Sequence, residues 1–232
     1  EKITPRTKAI IVNSPNNPTG AVIPPDEMEK IVDLAVANNL LLIFDECYEY
    51  FVFDGNVHTS LPKFSSKARH LSIIVNTASK TYAMTGWRIG YLVAPKAIVK
   101  AVNDVQSHSA NASTVSQKAA VESILGAQDS VLAMIAEYER RRKYIVEKLN
   151  SIPGLTCSNP GGAFYAFPKI TVSGLDDESF AKQLLDEQRV AVVPGSSFGA
   201  GGEGFVRCSY ATAYEQVEEA LRRIGQFMQH HG

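Results

Sequence analysis

"KAIIVNSPNNPTGAVIPPDEMEKIVDLAVANNLLLIFD", residues 8–45, decides the fold class. It opens and closes on apolar runs, "KAIIV" (8–12) and "LLLIF" (40–44). Between them lies "PPDEMEKIVDLAVANN", in which Ile31, Leu34 and Ala35 fall on one helical face. Prolines and acids at its front and asparagines at its end are helix start and stop signals. Strand, helix, strand at these lengths predicts a βαβ unit and hence a largely parallel sheet. Two more runs come later, "LSIIV" (71–75) and "IGYLVA" (89–94). All four are nearly continuous rather than alternating, which predicts strands buried on both faces.

After Pro95 the pattern turns helical, first over about 96–125 and then, past "GAQD", in the long run "SVLAMIAEYERRRKYIVEKLNSI". Its basic stretch "ERRRK" (139–143) reads as a solvated helix face. From residue 155 a second pattern begins: "GGAFYAFPKI", a helix at "DDESFAKQLLDEQ" (176–188), "VAVVP", the loop "GSSFGAGGEG", "FVRCSYA" and a last helix. The expected division is therefore a large α/β part over 1–128, and a linking helix with a small α+β part over 129–232.

The 232 residues are 45% hydrophobic and 20% charged, with a net charge of −1. That balance gives no global attraction to nucleic acid or to an anionic membrane. Three widely spaced cysteines form no metal-ligand pattern and read as free thiols of a cytoplasmic protein. No metal, nucleic acid or membrane partner is expected.

The chemistry lies in the residues just past each apolar run. "IIV" leads into "NSPNNPTG", "LLIF" into "DECYEY" and "SIIV" into "NTASK". Ligands of open parallel sheets bind beyond the carboxyl ends of the strands, so Asn17, Asp45, Tyr48 and Lys80 are delivered towards one edge. A lysine forms a Schiff base with an aldehyde. Pyridoxal 5'-phosphate is such an aldehyde, and its ring nitrogen needs a carboxylate partner. Arg88 and the hydroxyls of Thr77 and Ser79 are suited to its phosphate. Taken singly, Asp45 and Asn17 also read as turn or cap residues, and Tyr48 and Trp87 as core or rim aromatics, the reading preferred for Trp87.

"NSPNNPTG", "DECYEYFVFDG", "SKTYAMTGWRIGY", "GGAFYAFP" and "FVRCSYA" together closely resemble the class I/II aminotransferases of pyridoxal-phosphate fold type I, in particular the prokaryotic aspartate and aromatic branch. The resemblance runs in order over the whole chain. It implies the C-terminal portion of the large cofactor-binding α/β domain, followed by the small α+β domain. Lys80 would then carry the Schiff base and shuttle the substrate proton, with Asp45 pairing the ring nitrogen. Tyr48 and Asn17 would bond the ring oxygen. Thr77, Ser79 and Arg88 would hold the phosphate, and Arg207, with Asn17, the substrate. A cis peptide before Pro18 is implied too. The family works as homodimers on amino acids and 2-oxo acids. Its chains extend further at the amino end, so the resemblance implies that other cofactor contacts lie upstream of Glu1.

Two motifs point elsewhere. "GSSFG" (195–199) matches a hydrolase nucleophile pattern, but "AGGEG" comes next where a helix is required, and only His230 and His231, in what reads as a frayed tail, lie downstream. "GAGGEG" (199–204) matches a dinucleotide loop but leads into a strand-like run, so it reads as a flexible loop. A lyase or synthase of the same fold would use the same lysine. An aminotransferase-like effector domain of a transcription regulator would carry the same motifs.

Overall fold

The computed structural model describes residues 2–63, 68–109, 111–171 and 174–231. Contacts divide the chain into two units, residues 1–15 with 22–132 and residues 16–21 with 133–232.

The first unit is built on a four-stranded sheet: β1 (Ala9–Asn13), β2 (Leu41–Asp45), β3 (Ser72–Thr77) and β4 (Gly90–Val93), side by side in chain order. β1, β2 and β3 run parallel, with Asn13 opposite Asp45 and Asp45 opposite Val75. β4 is antiparallel to β3, Thr77 facing Gly90. Only residues 78–89 join those two strands. They hold only the single helical turn Ala78–Thr81 and the 3-10 turn Thr85–Trp87, without the long helix that usually carries a parallel crossover, and β4 returns beside its own strand.

Helix α1 (Pro25–Ala37) links β1 to β2. Its cap is Pro24, Asp26 and Glu27 occupy the first turn, and Asn39 closes the far end at φ 50°. An asparagine tolerates that left-handed conformation better than most residues. Met28, Val32 and Ala35 of α1 pack on Val12, Leu42 and Phe44 of the sheet, together with Leu40, Leu61 and Ala68. Fully burying an apolar side chain such as Leu42 or Phe44 contributes about 1.5–3 kcal/mol.

The sheet corrects one expectation. Its strands are not buried on both faces; β2 and β3 alternate. Successive residues point to opposite faces, and α1 covers only the face of Val12, Leu42 and Phe44. On the other face Ile11 is 74% exposed and Val75 38%. The helical stretch after Pro95 is also two helices rather than one, α2 (Lys96–Gln106) and α3 (Thr114–Leu125).

The long helix α4 (Asp129–Ser151) runs from the first unit into the second. The second unit holds β5 (Leu155–Thr156), β6 (Tyr165–Ala166), β7 (Lys169–Ile170), α5 (Asp177–Gln188), β8 (Val193–Pro194), β9 (Val206–Ser209) and α6 (Tyr214–His231). β9 lies between β6 and β8, antiparallel to both.

Three further expectations change here. "ERRRK" is not a uniformly solvated face, because Arg142 is 1% exposed. Its Nη1 donates to Asn159 Oδ1 at 3.0 Å and to the Pro160 carbonyl at 2.9 Å. The loop 195–204 is folded into two short 3-10 turns. Gly195 and Gly202 approach so closely that a Cβ on either would strike the other's backbone carbonyl. Asp177 secures this loop, its Oδ2 accepting from Ser196 N–H (2.8 Å) and its Oδ1 from Gly204 N–H (3.3 Å). Finally, His231 is still helical, contacting Glu187 at 2.9 Å and lying against the Phe227 ring.

Candidate active site

In the first unit the carboxyl ends of β2 and β3 carry the expected groups. Asp45 is the last residue of β2, half-buried, with Oδ1 accepting the Cys47 N–H at 3.1 Å. That bond orients the carboxylate. Tyr48, three residues on, is 4% exposed. The Lys80 Nζ stands 5.9 Å from the centre of the Tyr48 ring. Lys80 itself is half-buried. Burial and the Asp45 carboxylate push the neighbouring Cys47 thiol well above its ordinary range, while Lys80 pulls it the other way. A cation and an anion thus act on one small region.

β3 ends at Thr77, whose hydroxyl accepts from the Ser79 N–H (3.1 Å) and so caps the single helical turn Ala78–Thr81 that bears Lys80. The Thr77 and Ser79 hydroxyl oxygens are 2.9 Å apart. The chain then loops back. Thr77 Oγ1 donates to the Ile89 carbonyl at 2.9 Å, and the Ala78 N–H reaches the same carbonyl at 3.2 Å. Arg88, the residue before Ile89, therefore returns to the neighbourhood of Thr77. It sits at φ 51°, exposed, with Nη1 donating to the Thr85 carbonyl at 3.0 Å. The Ser116 hydroxyl holds the Trp87 carbonyl at 2.7 Å. Gly90 comes next where only a glycine fits, since a Cβ there would lie 2.7 Å from the Asn76 carbonyl.

The second unit brings together the other two residues. Arg207, on β9, donates from Nη1 to Asn17 Oδ1 at 2.8 Å, and its guanidinium stacks 4.5 Å from the Tyr165 ring and 5.0 Å from that of Phe198. Arg207 Nε is buried with no hydrogen-bond partner among the described residues. Asn17 belongs to segment 16–21, whose Gly20 (φ 68°) has its carbonyl bonded by the Gly162 N–H at 2.8 Å. A Cβ on Gly20 would strike Pro160. The Asn17–Pro18 peptide is cis, and so is Ser14–Pro15.

Six of the eight expected site residues thus lie in the first unit and two in the second. Sequence reasoning missed Asn76, a buried amide within β3, and Arg142, which fixes the segment that receives Gly20. A polar residue closing an apolar run was the available signal for the first.

The sequence profile described as Aminotransferase class I and II matches residues 1–224. Aromatic-amino-acid aminotransferase 2 of Thermococcus litoralis is 44% identical over 96% of this chain and 57% of its own length. Aspartate aminotransferase of Geobacillus stearothermophilus is 42% identical, over 99% of this chain and 59% of its own. The solved structure of an aromatic aminotransferase from Pyrococcus horikoshii OT3 superposes with a TM-score of 0.94 at 43% identity, covering 99% of this chain and 62% of that one. The chain spans less than three-fifths of these curated relatives, 57% and 59%. An α/β unit with lysine, carboxylate and phenol at its strand ends, matched at this identity along nearly all its residues, belongs to the class I and II aminotransferase family.

Proposed function

We propose that this chain is part of a pyridoxal-phosphate-dependent aminotransferase, moving the amino group of an L-amino acid, aspartate or an aromatic one, to a 2-oxo acid such as 2-oxoglutarate. One observation carries the reading: the ends of β2 and β3 present a carboxylate, a buried phenol with an amine 5.9 Å from its ring, and paired hydroxyls 2.9 Å apart. That donor set suits the cofactor's ring nitrogen, ring oxygen, aldehyde and phosphate in turn. The family resemblance adds a cytoplasmic homodimer to the proposal.

The bound cofactor supplies an electron sink for the charge left when the substrate Cα is deprotonated. The chain's residues do the remaining work. Lys80 would anchor the cofactor, and its Nζ would serve as the general base that takes the substrate Cα proton. Asp45 would pair with the ring nitrogen and favour its protonated form. Tyr48 and Asn17 bond the ring oxygen. Thr77, Ser79 and Arg88 take the phosphate by charge-assisted hydrogen bonds. Arg207 clamps the substrate α-carboxylate. Its planar fork suits bidentate binding, and a carboxylate would satisfy the buried Nε.

The test uses the full-length protein with pyridoxal phosphate, aspartate or an aromatic amino acid, and 2-oxoglutarate. Glutamate and the donor's 2-oxo acid are expected in equal amounts, and Lys80→Ala abolishes both. Release of ammonia in place of glutamate would identify a lyase and refute transamination.

A further inference from the structure

We propose that Asn76 is a positioning residue for the cofactor's phosphate, joining the loop after β2 to the turn that carries Thr77, Ser79 and Lys80. The inference rests on the proposed function, in which this turn holds pyridoxal phosphate. Asn76 is 5% exposed. Its Oδ1 accepts the Thr77 N–H at 2.7 Å, and its Nδ2 donates to Glu49 Oε1 at 2.6 Å. A backbone N–H can only donate and a carboxylate only accept, so these partners fix which way the amide faces.

One side chain therefore links two segments. Glu49 is one residue beyond Tyr48 and four beyond Asp45. Thr77 is the cap on which Ser79 N–H and the Ile89 carbonyl both depend. The start of the turn is set by the Thr77 backbone, and Asn76 holds that backbone by its N–H. Glu49 is half-buried beside Glu46 and His58. Glu46, 3% exposed, accepts from the Ser60 hydroxyl at 2.6 Å and faces His58 at 3.5 Å. Oxygens of Glu46 and Glu49 and a nitrogen of His58 all lie within 4.8 Å of one another. Burial raises the Glu49 carboxyl above its ordinary range, and the bond from Asn76 works against that rise. The amide thus favours the carboxylate over its neutral form.

The prediction is a selective loss. Hydroxyls displaced by a fraction of an ångström weaken phosphate binding but leave the amine free to react with an aldehyde. Asn76→Asp sets two carboxylates against each other and drives the pair apart. Asn76→Asp with Glu49→Gln reverses donor and acceptor. The carboxylate introduced on β3 then accepts from Thr77 N–H and from the amide introduced on the loop, restoring both bonds.

Dissociation constants for pyridoxal phosphate and for unphosphorylated pyridoxal are measured on the full-length protein, with thermal midpoints of the cofactor-free forms. Asn76→Asp is expected to bind pyridoxal phosphate about tenfold more weakly while its affinity for pyridoxal changes less than about twofold. The double variant is expected to recover the phosphate preference. Should Asn76→Asp not accumulate, Glu49→Ala removes the same anchor from outside the strand and is expected to show the same selective loss. Equal losses for both ligands, or no recovery in the double variant, would show a merely structural role and overturn the inference. A wild-type protein that binds neither ligand would overturn the cofactor reading itself, and this inference with it.

Discussion

Replacing Asp177 by Asn removes one charge and one acceptor from a side chain that secures the Gly195–Gly204 loop. The carboxylate accepts two backbone N–H groups, from Ser196 at 2.8 Å and from Gly204 at 3.3 Å, and Asp177 is 4% exposed. An asparagine keeps one acceptor and turns an NH2 towards the other N–H. A hydrogen bond to a charged group contributes about 1.5–3 kcal/mol, and the longer contact less. The expected loss is therefore about 2 kcal/mol, roughly thirtyfold in the opening equilibrium of the loop. Hydrogen exchange of peptides covering 195–204 at neutral pH measures it directly. The pH dependence supplies a second check. Burial alone would raise the Asp177 carboxyl, but the bonds from Ser196 and Gly204 outweigh it and lower it below 3.8. A folded-state value below the unfolded one means the contribution is whole above the unfolded value and lost as pH falls through the folded one. The amide of the variant has no such titration. The gap between wild type and variant in urea midpoint should thus be constant from pH 7 to about 5 and narrow below about 4. A gap that is unchanged at pH 3, or unaltered exchange in 195–204, would refute the assignment.

Tyr210→Phe removes the O–H that donates to the Ala163 carbonyl at 3.2 Å in a fully buried position. A loss of about 1 kcal/mol is expected, read as a fall in melting temperature of about 2–4 °C. Burial raises the Cys157 thiol to about 11 and, with Cys157 nearby, the Cys208 thiol to about 12. Neither should react with a disulfide reagent at pH 8 in the folded protein, and both should react on addition of guanidinium chloride.

Local signals carried much of the fold. Four apolar runs became four strands, and the proline, acid and asparagine signals around 25–39 bounded α1, because helix ends are decided by neighbouring residues. What the pattern could not carry was long-range. Continuous apolar runs suggested two covered faces, yet Ile11 shows that apolarity alone does not supply a covering element. The break between α2 and α3 fell in "SHSANAS" (107–113), a serine- and asparagine-rich stretch with no glycine or proline to mark it. At the site, Asp45, Tyr48, Thr77, Ser79, Lys80 and Arg88 were legible because each lies close in sequence to a strand end. Asn76 offered the same signal, a polar residue closing an apolar run, but its role comes from Glu49, 27 residues away. Arg142 looked like one more surface charge in "ERRRK". Only its contacts with Asn159 and Pro160 distinguish it from Arg140 and Lys143, which pair with glutamates on the helix surface.

Segment 16–21 gives the second unit an order of assembly. It is made more than a hundred residues before Pro160, Gly162 and Arg207, and the Asn17–Arg207 bond spans 190 positions. Loop-closure entropy grows only slowly with span, each doubling adding about 0.6 kcal/mol, so this separation costs little more than a loop half as long, but the step waits on the ribosome. Until β9 has emerged, the cradle formed by Arg142, Asn159 and Pro160 has no arginine opposite Asn17. A gene cut at the junction of residues 132 and 133 would yield a C-terminal piece without its own first segment. Supplying residues 16–21 as a peptide, or grafting them ahead of α4 by circular permutation, is the way to recover a whole second unit from a single short chain.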